Sequence, residues 1–324
     1  MHISIVGGGW VGCHLASVLM QENSVTLYEK NDRLFTETSY NNQNRLHLGY
    51  HYARSFNTRE LCSSTHSRFM QQYGDFTAEV PNNYYCIPAD SNIDFKTYLQ
   101  IFDLLKIEDQ CKVDTDFLTN IEGSIQTKER YIDFHKLHNL FNDTLQQITV
   151  KKTVNDMSEV SGDLTINCTN NQLNPIQDAY YELTLTLLYE RVRDIPFGAI
   201  TLVDGNFFSI YPYKDNCYTV TDVEHTPIRT FNNLDELRTY SLAPEVLEDK
   251  IKLIERKVLS YYPDFASDFS YKGYFISTKS KSINYSANRY PVIRQNKNAI
   301  SCYTGKIQGI YIIEDYVRKC LSHN

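Results

Sequence analysis

The sequence predicts an α/β fold in which a parallel, helix-flanked sheet is joined to a second, mixed or antiparallel sheet. Three observations lead there. A strand, a glycine turn, a helix and a second strand follow one another within the first thirty residues. The alternation of apolar strands and amphipathic helices returns over residues 131–168 and again from 299 onward. Between these blocks, residues 178–225 read as successive strands, with Asp204-Gly205 as a tight-turn signal between two of them.

His2-Ile3-Ser4-Ile5-Val6 alternates and then runs apolar, as a buried parallel strand does. Val11, Leu15, Val18 and Leu19 recur at helical spacing up to Glu22-Asn23. A second strand covers 24–28, with Glu29 at its carboxyl end. Residues 31–55 are polar and predict a loop or short helix near a ligand. Helices are expected over 58–73 and 94–105, with a strand at 84–88 between them. Asp133 reads as the cap of a helix over 134–145, so His135 and His138 beside it read as structural. Strands follow at 148–154, 162–168, 180–192, 199–203, 207–211 and 217–222. Residues 234–259 are mainly helical, and the chain closes with a strand at 299–303, a turn at Gly305 and a helix over 307–320.

A length of 324 residues is enough for two domains. Hydrophobic residues make up 42% and charged residues 22%, an ordinary globular composition. No apolar run approaches the roughly 20 residues that span a bilayer. The opening residues have neither a basic region nor a small-residue cleavage site, so neither membrane insertion nor export is expected. Lys and Arg number 32 against 39 Asp and Glu, a net charge of -7 with the positive charges scattered, which argues against a nucleic-acid partner. The eight cysteines form no CxxC pair and no Cys/His cluster at zinc spacing. They read as reduced thiols in a cytoplasmic protein without a metal site.

Gly7-x-Gly9-x-x-Gly12 has the dinucleotide-binding spacing, and its context agrees: it follows a strand and opens a helix. Gly7 allows the tight turn, Gly9 lets the backbone approach a pyrophosphate, and Gly12 lets helix and strand pack closely. The helix N-terminus then stabilises the phosphate charge. Glu29, 22 residues after Gly7, is placed to accept hydrogen bonds from a ribose and disfavours a 2′-phosphate there. This turn by itself does not separate NAD from FAD.

Four segments in order resemble the FAD-dependent oxidoreductases of the D-amino-acid oxidase superfamily, which includes glycine and sarcosine oxidases. They are HISIVGGGWVGCHLASVLMQENSVTLYEK (2–30), TSYNNQNRLHLGYHY (38–52), YIDFHKLHNLF with GDLTINCT (131–141 and 162–169), and AISCYTGKIQGIYIIEDYV (299–317). Where that family usually has glycine after the returning strand, this chain reads Thr169-Asn170-Asn171. The resemblance implies a Rossmann-like FAD domain made of residues 1–75, 126–175 and 276–324, with 76–125 and 176–275 forming the substrate domain. It implies that FAD is held by Gly7, Gly9, Trp10, Val11, Gly12, Glu29 and Lys30, by Ser39, Asn44, Arg45 and His47 of the loop, by Thr169, and by Gly305, Lys306 and Ile307 of the terminal turn.

With a flavin, the protein holds the substrate C–H against the ring and tunes ring charge. Lys306, or the helix behind Gly305, is placed to stabilise the charge of reduction. Arg45, His47 and His51 alternate with Leu46, Leu48 and Tyr50, so an extended segment would put all three on one side. Either histidine would serve as general base and Arg45 as an anion ligand. Arg289 is a further anion ligand, and Tyr211 a candidate on the substrate side, with Tyr213 and His225 as weaker ones. The expected activity is oxidation of a C–N or C–O bond of a small polar metabolite such as an amino acid, amine or sugar derivative. The alternatives are a non-redox flavin enzyme acting on a nucleotide sugar, resembling UDP-galactopyranose mutase, an NAD-dependent dehydrogenase, and a silent nucleotide-binding protein.

Overall fold

The computed structural model describes residues 1–104, 112–176, 178–283 and 289–322. A six-stranded sheet takes the order Val292–Asn296, Ala299–Tyr303, Leu164–Asn167, His2–Val6, Ser24–Glu29, Thr149–Lys151. All neighbours are parallel except the hairpin at the Val292–Asn296 edge. The central strand, His2–Val6, is buried on both faces, which is why its sequence runs apolar. Helices Trp10–Leu19, Phe134–Leu145 and Ile310–Leu321 supply the apolar side chains that cover this sheet. In the second of these, Phe134, Leu137, Phe141 and Leu145 form one buried stripe, and the Asp133 carboxylate accepts the Lys136 N–H at its start.

The second sheet has nine strands. The run Ala179–Arg191, Cys217–Asp222, Phe208–Pro212, Ala199–Leu202 is antiparallel, and Ala199–Leu202 then pairs in parallel with Asn83–Pro88. Ile121–Thr127 and Lys112–Val113 extend it on that side. Phe269–Ser282 pairs along the whole of Ala179–Arg191. A small sheet of Arg45–Leu46, Arg130–Ile132 and Thr77–Glu79 lies between the two large ones in sequence. The expected domain boundaries at 126 and 276 fall inside the strands Ile121–Thr127 and Phe269–Ser282.

Most predicted elements stand within two or three residues of their expected ends. The helix expected over 94–105 is shorter, Phe95–Ile101, with Asp94 capping Thr97 N–H, and Leu105 lies outside the described residues. Residues 234–259 break into Leu234–Thr239 and Pro244–Leu259, because Pro244 opens the second helix and cannot continue the first. The long strand Phe269–Ser282 was not foreseen: its polar, lysine-rich text lacks an apolar stripe to announce it.

Candidate active site and cofactor cradle

One cavity of about 1210 Å³ runs from the glycine turn to the inner face of the nine-stranded sheet. Gly7, Gly9, Trp10, Val11, Glu29, Lys30, Ser39, Asn44, Arg45, His47, Thr169, Gly305, Lys306 and Ile307 all line it, as do His51 and Arg289. Gly12 does not reach the cavity. A Cβ there would sit 1.9 Å from the Gly7 carbonyl oxygen, so its role is the close helix–strand contact expected of the third glycine.

At the turn, Gly7 takes φ +102°, and a Cβ would meet the Cys168 carbonyl at 2.8 Å. Gly9 has open space apart from Ser39 Oγ at 3.1 Å, so a side chain here would enter the cavity rather than the protein. Ser39 Oγ accepts the Trp10 N–H at 2.8 Å, satisfying one of the helix's orphan donors. Glu29 is 8% exposed, and its two oxygens accept the N–H groups of Gly8 (2.7 Å) and Asn31 (2.9 Å). Its remaining lone pairs face the cavity. Lys30 is exposed and pairs with Glu37 at 3.2 Å. The Trp10 indole packs among Phe35, Phe69, Tyr73 and Phe141 and donates to the Ile307 carbonyl at 3.0 Å, tying the first helix to the terminal turn.

After the returning strand, where the resemblance implies glycine, the asparagines take backbone conformations that glycine favours. Asn170 and Asn171 have φ of 54° and 62°, in the left-handed region that asparagine tolerates best after glycine. Thr169 N–H and Oγ1 both bond Asn167 Oδ1, which holds the turn under the cavity. Asn44 also sits at positive φ, 50°, and is 2% exposed.

At the far end of the cavity, Arg45, His47 and His51 do meet, but not along an extended strand. The strand ends at Leu46, and the chain turns at Gly49 (φ +110°), with Tyr52 N–H bonding the Gly49 carbonyl. The turn brings the two imidazole centroids to 6.1 Å. Arg45 stacks on the Tyr211 ring at 4.0 Å and donates Nη1 to Thr201 Oγ1 at 2.7 Å, while its Nε and Nη2 are buried without partners. His51 Nδ1 is likewise buried and unpartnered. Lys306 lies over the Tyr52 ring at 4.4 Å.

Glu129, fully buried, stands behind His47: Oε2 is 3.3 Å from His47 Nδ1 and accepts Tyr85 OH at 2.6 Å, while Oε1 accepts Leu48 N–H at 2.7 Å. Gln308 Nε2 donates to the His47 carbonyl at 3.0 Å and to the Cys62 carbonyl at 2.8 Å.

The electrostatics follow from this crowding. Burial pushes the Lys306 ammonium down to about 7, helped by Arg45. Burial and then Lys306 push His47 down to about 4, against the pull of Glu129, and burial with His47, Lys306 and Arg45 lowers His51 well below its usual value. Burial raises the Glu129 carboxyl, but the bonds and charges from His47, Tyr85 and Leu48 outweigh it and leave the group below the usual range. Both imidazoles are therefore neutral at pH 7, hydrogen-bonding groups and proton acceptors in waiting rather than cations.

Tyr211 is corrected as well. It is fully buried, donates its hydroxyl to the Arg130 carbonyl at 3.1 Å, and forms the floor under Arg45 instead of lining the cavity. Tyr213 stacks on Phe134 and Phe275, and His225 faces Asp222 and Glu224.

The substrate-side wall comes from residues sequence reading missed. Lys279 and Lys281 lie on the unforeseen strand Phe269–Ser282, at alternate positions facing the cavity. Lys281 Nζ pairs with Glu182 Oε1 at 2.6 Å. Lys279 stands in the open cavity yet deep in the protein body, and burial lowers it to about 8, with Arg289 and Lys281 adding to the fall against Glu182. The alternation Lys279-x-Lys281 was a usable signal of one strand face. Nothing in the sequence around Glu129 or Gln308 distinguishes them from ordinary turn residues.

These residues fit FAD. The cavity exceeds the roughly 300–1,000 Å³ of common ligand sites, room for an extended dinucleotide and a substrate. The open Gly9 position leaves room for a pyrophosphate, and the orphaned Arg45 and His51 nitrogens are donors and acceptors that a ring system would satisfy. Among the described residues no three His, Cys, Asp or Glu side chains gather as a metal site, and no helix is long and apolar enough to cross a membrane.

Residues 5–72 match the NAD(P)-binding Rossmann-like domain family. Across 97% of this chain and 89% of its own length, an FAD-dependent monooxygenase of Fusarium mangiferae is 30% identical. A second FAD-dependent monooxygenase, from Aspergillus flavus, is 25% identical over 96% of this chain and 83% of its own. Among solved structures, glycine oxidase from Geobacillus kaustophilus superposes with a TM-score of 0.73 at 10% identity, over 99% of this chain and 94% of that one.

Proposed function

Because this chain belongs to the family of FAD-dependent oxidoreductases represented by the Fusarium monooxygenase, we propose that it oxidises a C–N or C–O bond of a small, polar, anionic metabolite. The observation that carries this reading is the pairing of two basic groups across one cavity: Lys279, Lys281 and Arg289 toward the substrate sheet, and Arg45 with Lys306 at the histidine end. In this reading residues 1–75, 126–175 and 276–324 form the cofactor domain and 76–125 with 176–275 the substrate domain, except that the ends of Ile121–Thr127 and Phe269–Ser282 carry the substrate sheet across the boundaries at 126 and 276, in a cytoplasmic protein whose seven described cysteines are free.

When bound, FAD accepts the two electrons and the hydrogen leaving substrate carbon. The chain's own residues do the rest. Gly7, Gly9 and the first turn of the helix Trp10–Leu19 hold the pyrophosphate, and Glu29 accepts from the ribose. Arg45, Thr169, Gly305, Lys306 and Ile307 would hold the ring, and Lys306 would offset negative charge there. A substrate carboxylate or phosphate is held by Lys279 and Arg289, while an imidazole takes the proton from the substrate nitrogen or oxygen. Ser209, Thr221, Thr186 and Ser277 line the same wall and favour a polar substrate body over an apolar one.

The test is anaerobic mixing of the yellow protein with amino acids, amines, hydroxy acids and acidic sugars, following loss of the flavin band. An anionic compound should bleach it, and Lys279→Ala should raise KM about tenfold or more with kcat little changed, the loss expected for one charge-assisted contact. Bleaching by uncharged compounds alone, or an unchanged KM, would overturn the anionic reading. The names of the Fusarium and Aspergillus relatives favour a second outcome, in which the product also gains one oxygen atom. Turnover under labelled dioxygen separates the two by product mass. The nucleotide-sugar alternative has no such support.

A further inference from the structure

We propose that Glu129 is a positioning residue that orients His47, rather than His51, as the proton acceptor of the site. The proposal rests on the reading of the cavity as the cofactor and substrate site. Both imidazoles line that cavity, but their backs differ. His47 Nδ1 stands 3.3 Å from Glu129 Oε2, inside ion-pair range and misaligned for a full hydrogen bond, as acid–base pairs commonly are before substrate arrives. His51 Nδ1 is buried without a hydrogen-bond partner too, but among the described residues no carboxylate stands within ion-pair distance of it.

Glu129 is built to serve this way. It has no exposed surface, its oxygens take one backbone and one tyrosine donor, and its own backbone carbonyl accepts Asn83 Nδ2 at 3.2 Å. A carboxylate so fixed can hold only one imidazole geometry, with Nδ1–H toward Oε2 and the Nε2 lone pair toward the cavity. The His47 backbone is pinned too, because Gln308 donates to its carbonyl. The proton leaving the substrate N–H or O–H bonds to Nε2, and the imidazolium that forms lies against Glu129. Neutral His47 paired with ionised Glu129 becomes a compensated ion pair, so no uncompensated charge is buried in the step.

Every charged or titratable group facing this pair bears on it. Burial, then Lys306 from the terminal turn and Arg45 from the strand before the loop, hold the proton off His47 in the resting site, while Glu129 pulls it on; burial, His47 and Lys306 in turn hold the proton off His51. Tyr52 packs edge-on to the ring at 5.5 Å, Tyr85 donates to Glu129, and Cys62 and His66 on the helix Phe56–Tyr73 feel the same carboxylate. Negative charge arriving beside Lys306 and Arg45 would offset both cations and leave only burial to oppose the pull of Glu129. His47 therefore gains proton affinity at the point in the cycle when a proton is released.

The test is nitrogen NMR of the histidine rings in the FAD-loaded protein, titrated with acid, for wild type, Glu129→Gln and Glu129→Asp. Wild type should show His47 with its proton on Nδ1. Glu129→Gln should lower His47 proton affinity by about tenfold or more and mix the two tautomers, and Glu129→Asp should restore the Nδ1–H form. A Glu129→Gln protein with wild-type tautomer and titration would overturn the proposal. If that variant does not fold, Tyr85→Phe takes one donor from the carboxylate while keeping its charge. It should strengthen the hold on His47 and raise its proton affinity, and an unmoved His47 signal would count against the dyad. No substrate is needed for these measurements. Failure of the underlying site reading would appear separately, as His47 signals identical in FAD-loaded and FAD-stripped protein.

Discussion

Two buried polar clusters in this protein use the same parts and end in opposite states. Between the first and last helices, His14 bonds Tyr73 OH through Nδ1 (2.9 Å) and Glu314 through Nε2 (3.0 Å), and Glu314 also takes Arg68 at 2.6 Å and Arg318 at 2.7 Å. Both ring nitrogens and both carboxylate oxygens have partners. At the cavity end, Arg45, His47, His51, Lys306 and Glu129 form a cluster of similar make-up. There two Arg45 nitrogens and the Nδ1 atoms of both His47 and His51 lack a hydrogen-bond partner, and the cations depress one another. Buried polar groups are nearly always paired, so a closed network is a structural tie and an open one marks where a ligand completes the set.

The comparison breaks most sharply at Gly9. Valine there meets little but Ser39 Oγ inside the protein, so Gly9→Val should fold yet purify without FAD, read as loss of the flavin absorption bands. A variant that keeps full cofactor would mean that the open region is not the cofactor's place.

Next in size is the closed network. Glu314→Ala strands the buried His14 Nε2 and leaves Arg68 with Asp315 and Arg318 with Glu22 as their remaining partners, and should cost about 2 to 3 kcal/mol in urea unfolding, the range for breaking a partly buried ion pair. FAD content and flavin spectrum should stay at wild-type values. A change in the spectrum would show that the two clusters are coupled after all, through Trp10 and the terminal turn.

The smallest effect sharpens the contrast by pH. Burial lowers His14 below its ordinary 6.5, so its neutral form is the folded one, and the stability it contributes is full above pH 6.5 and is lost as pH falls. The Glu314 carboxyl, raised by burial but lowered further by His14, Arg318 and Arg68 to about 2, contributes stability that is full above 4.5 and is lost between there and 2. The unfolding midpoint should therefore fall in two stages on acidification. In His14→Gln the upper stage should shrink, the remainder belonging to other histidines lowered by burial such as His47 and His51, and an upper stage of unchanged size would show that His14 contributes none of it.

Much of the cofactor half was legible because its constraints are local. Three glycines at fixed spacing, a strand before and a helix after, and Glu29 at the end of the next strand are all set by backbone geometry within thirty residues. The helix behind Asp133 was legible for the same reason, a cap and a 3–4 repeat. The substrate half was harder. Phe269–Ser282 is a strand held by its pairing with Ala179–Arg191, and Lys279 and Lys281 on it face a cavity instead of bulk water. Tyr211 misled because a strand tyrosine gives no sign of which side of an arginine it will stack on.

From the sequence alone came the α/β architecture, the glycine cradle, the acidic ribose partner and the nearness of Arg45, His47 and His51 along the chain. Tertiary structure decided which groups confront them. Glu129 reaches His47 in space by way of the small sheet that pairs Arg45–Leu46 with Arg130–Ile132, and Gln308 reaches the same histidine from 261 residues away. Such contacts leave no periodicity or spacing in the sequence, because they are made by sheets and helices closing on one another. The charge, tautomer and proton affinity of the site are properties of that closure.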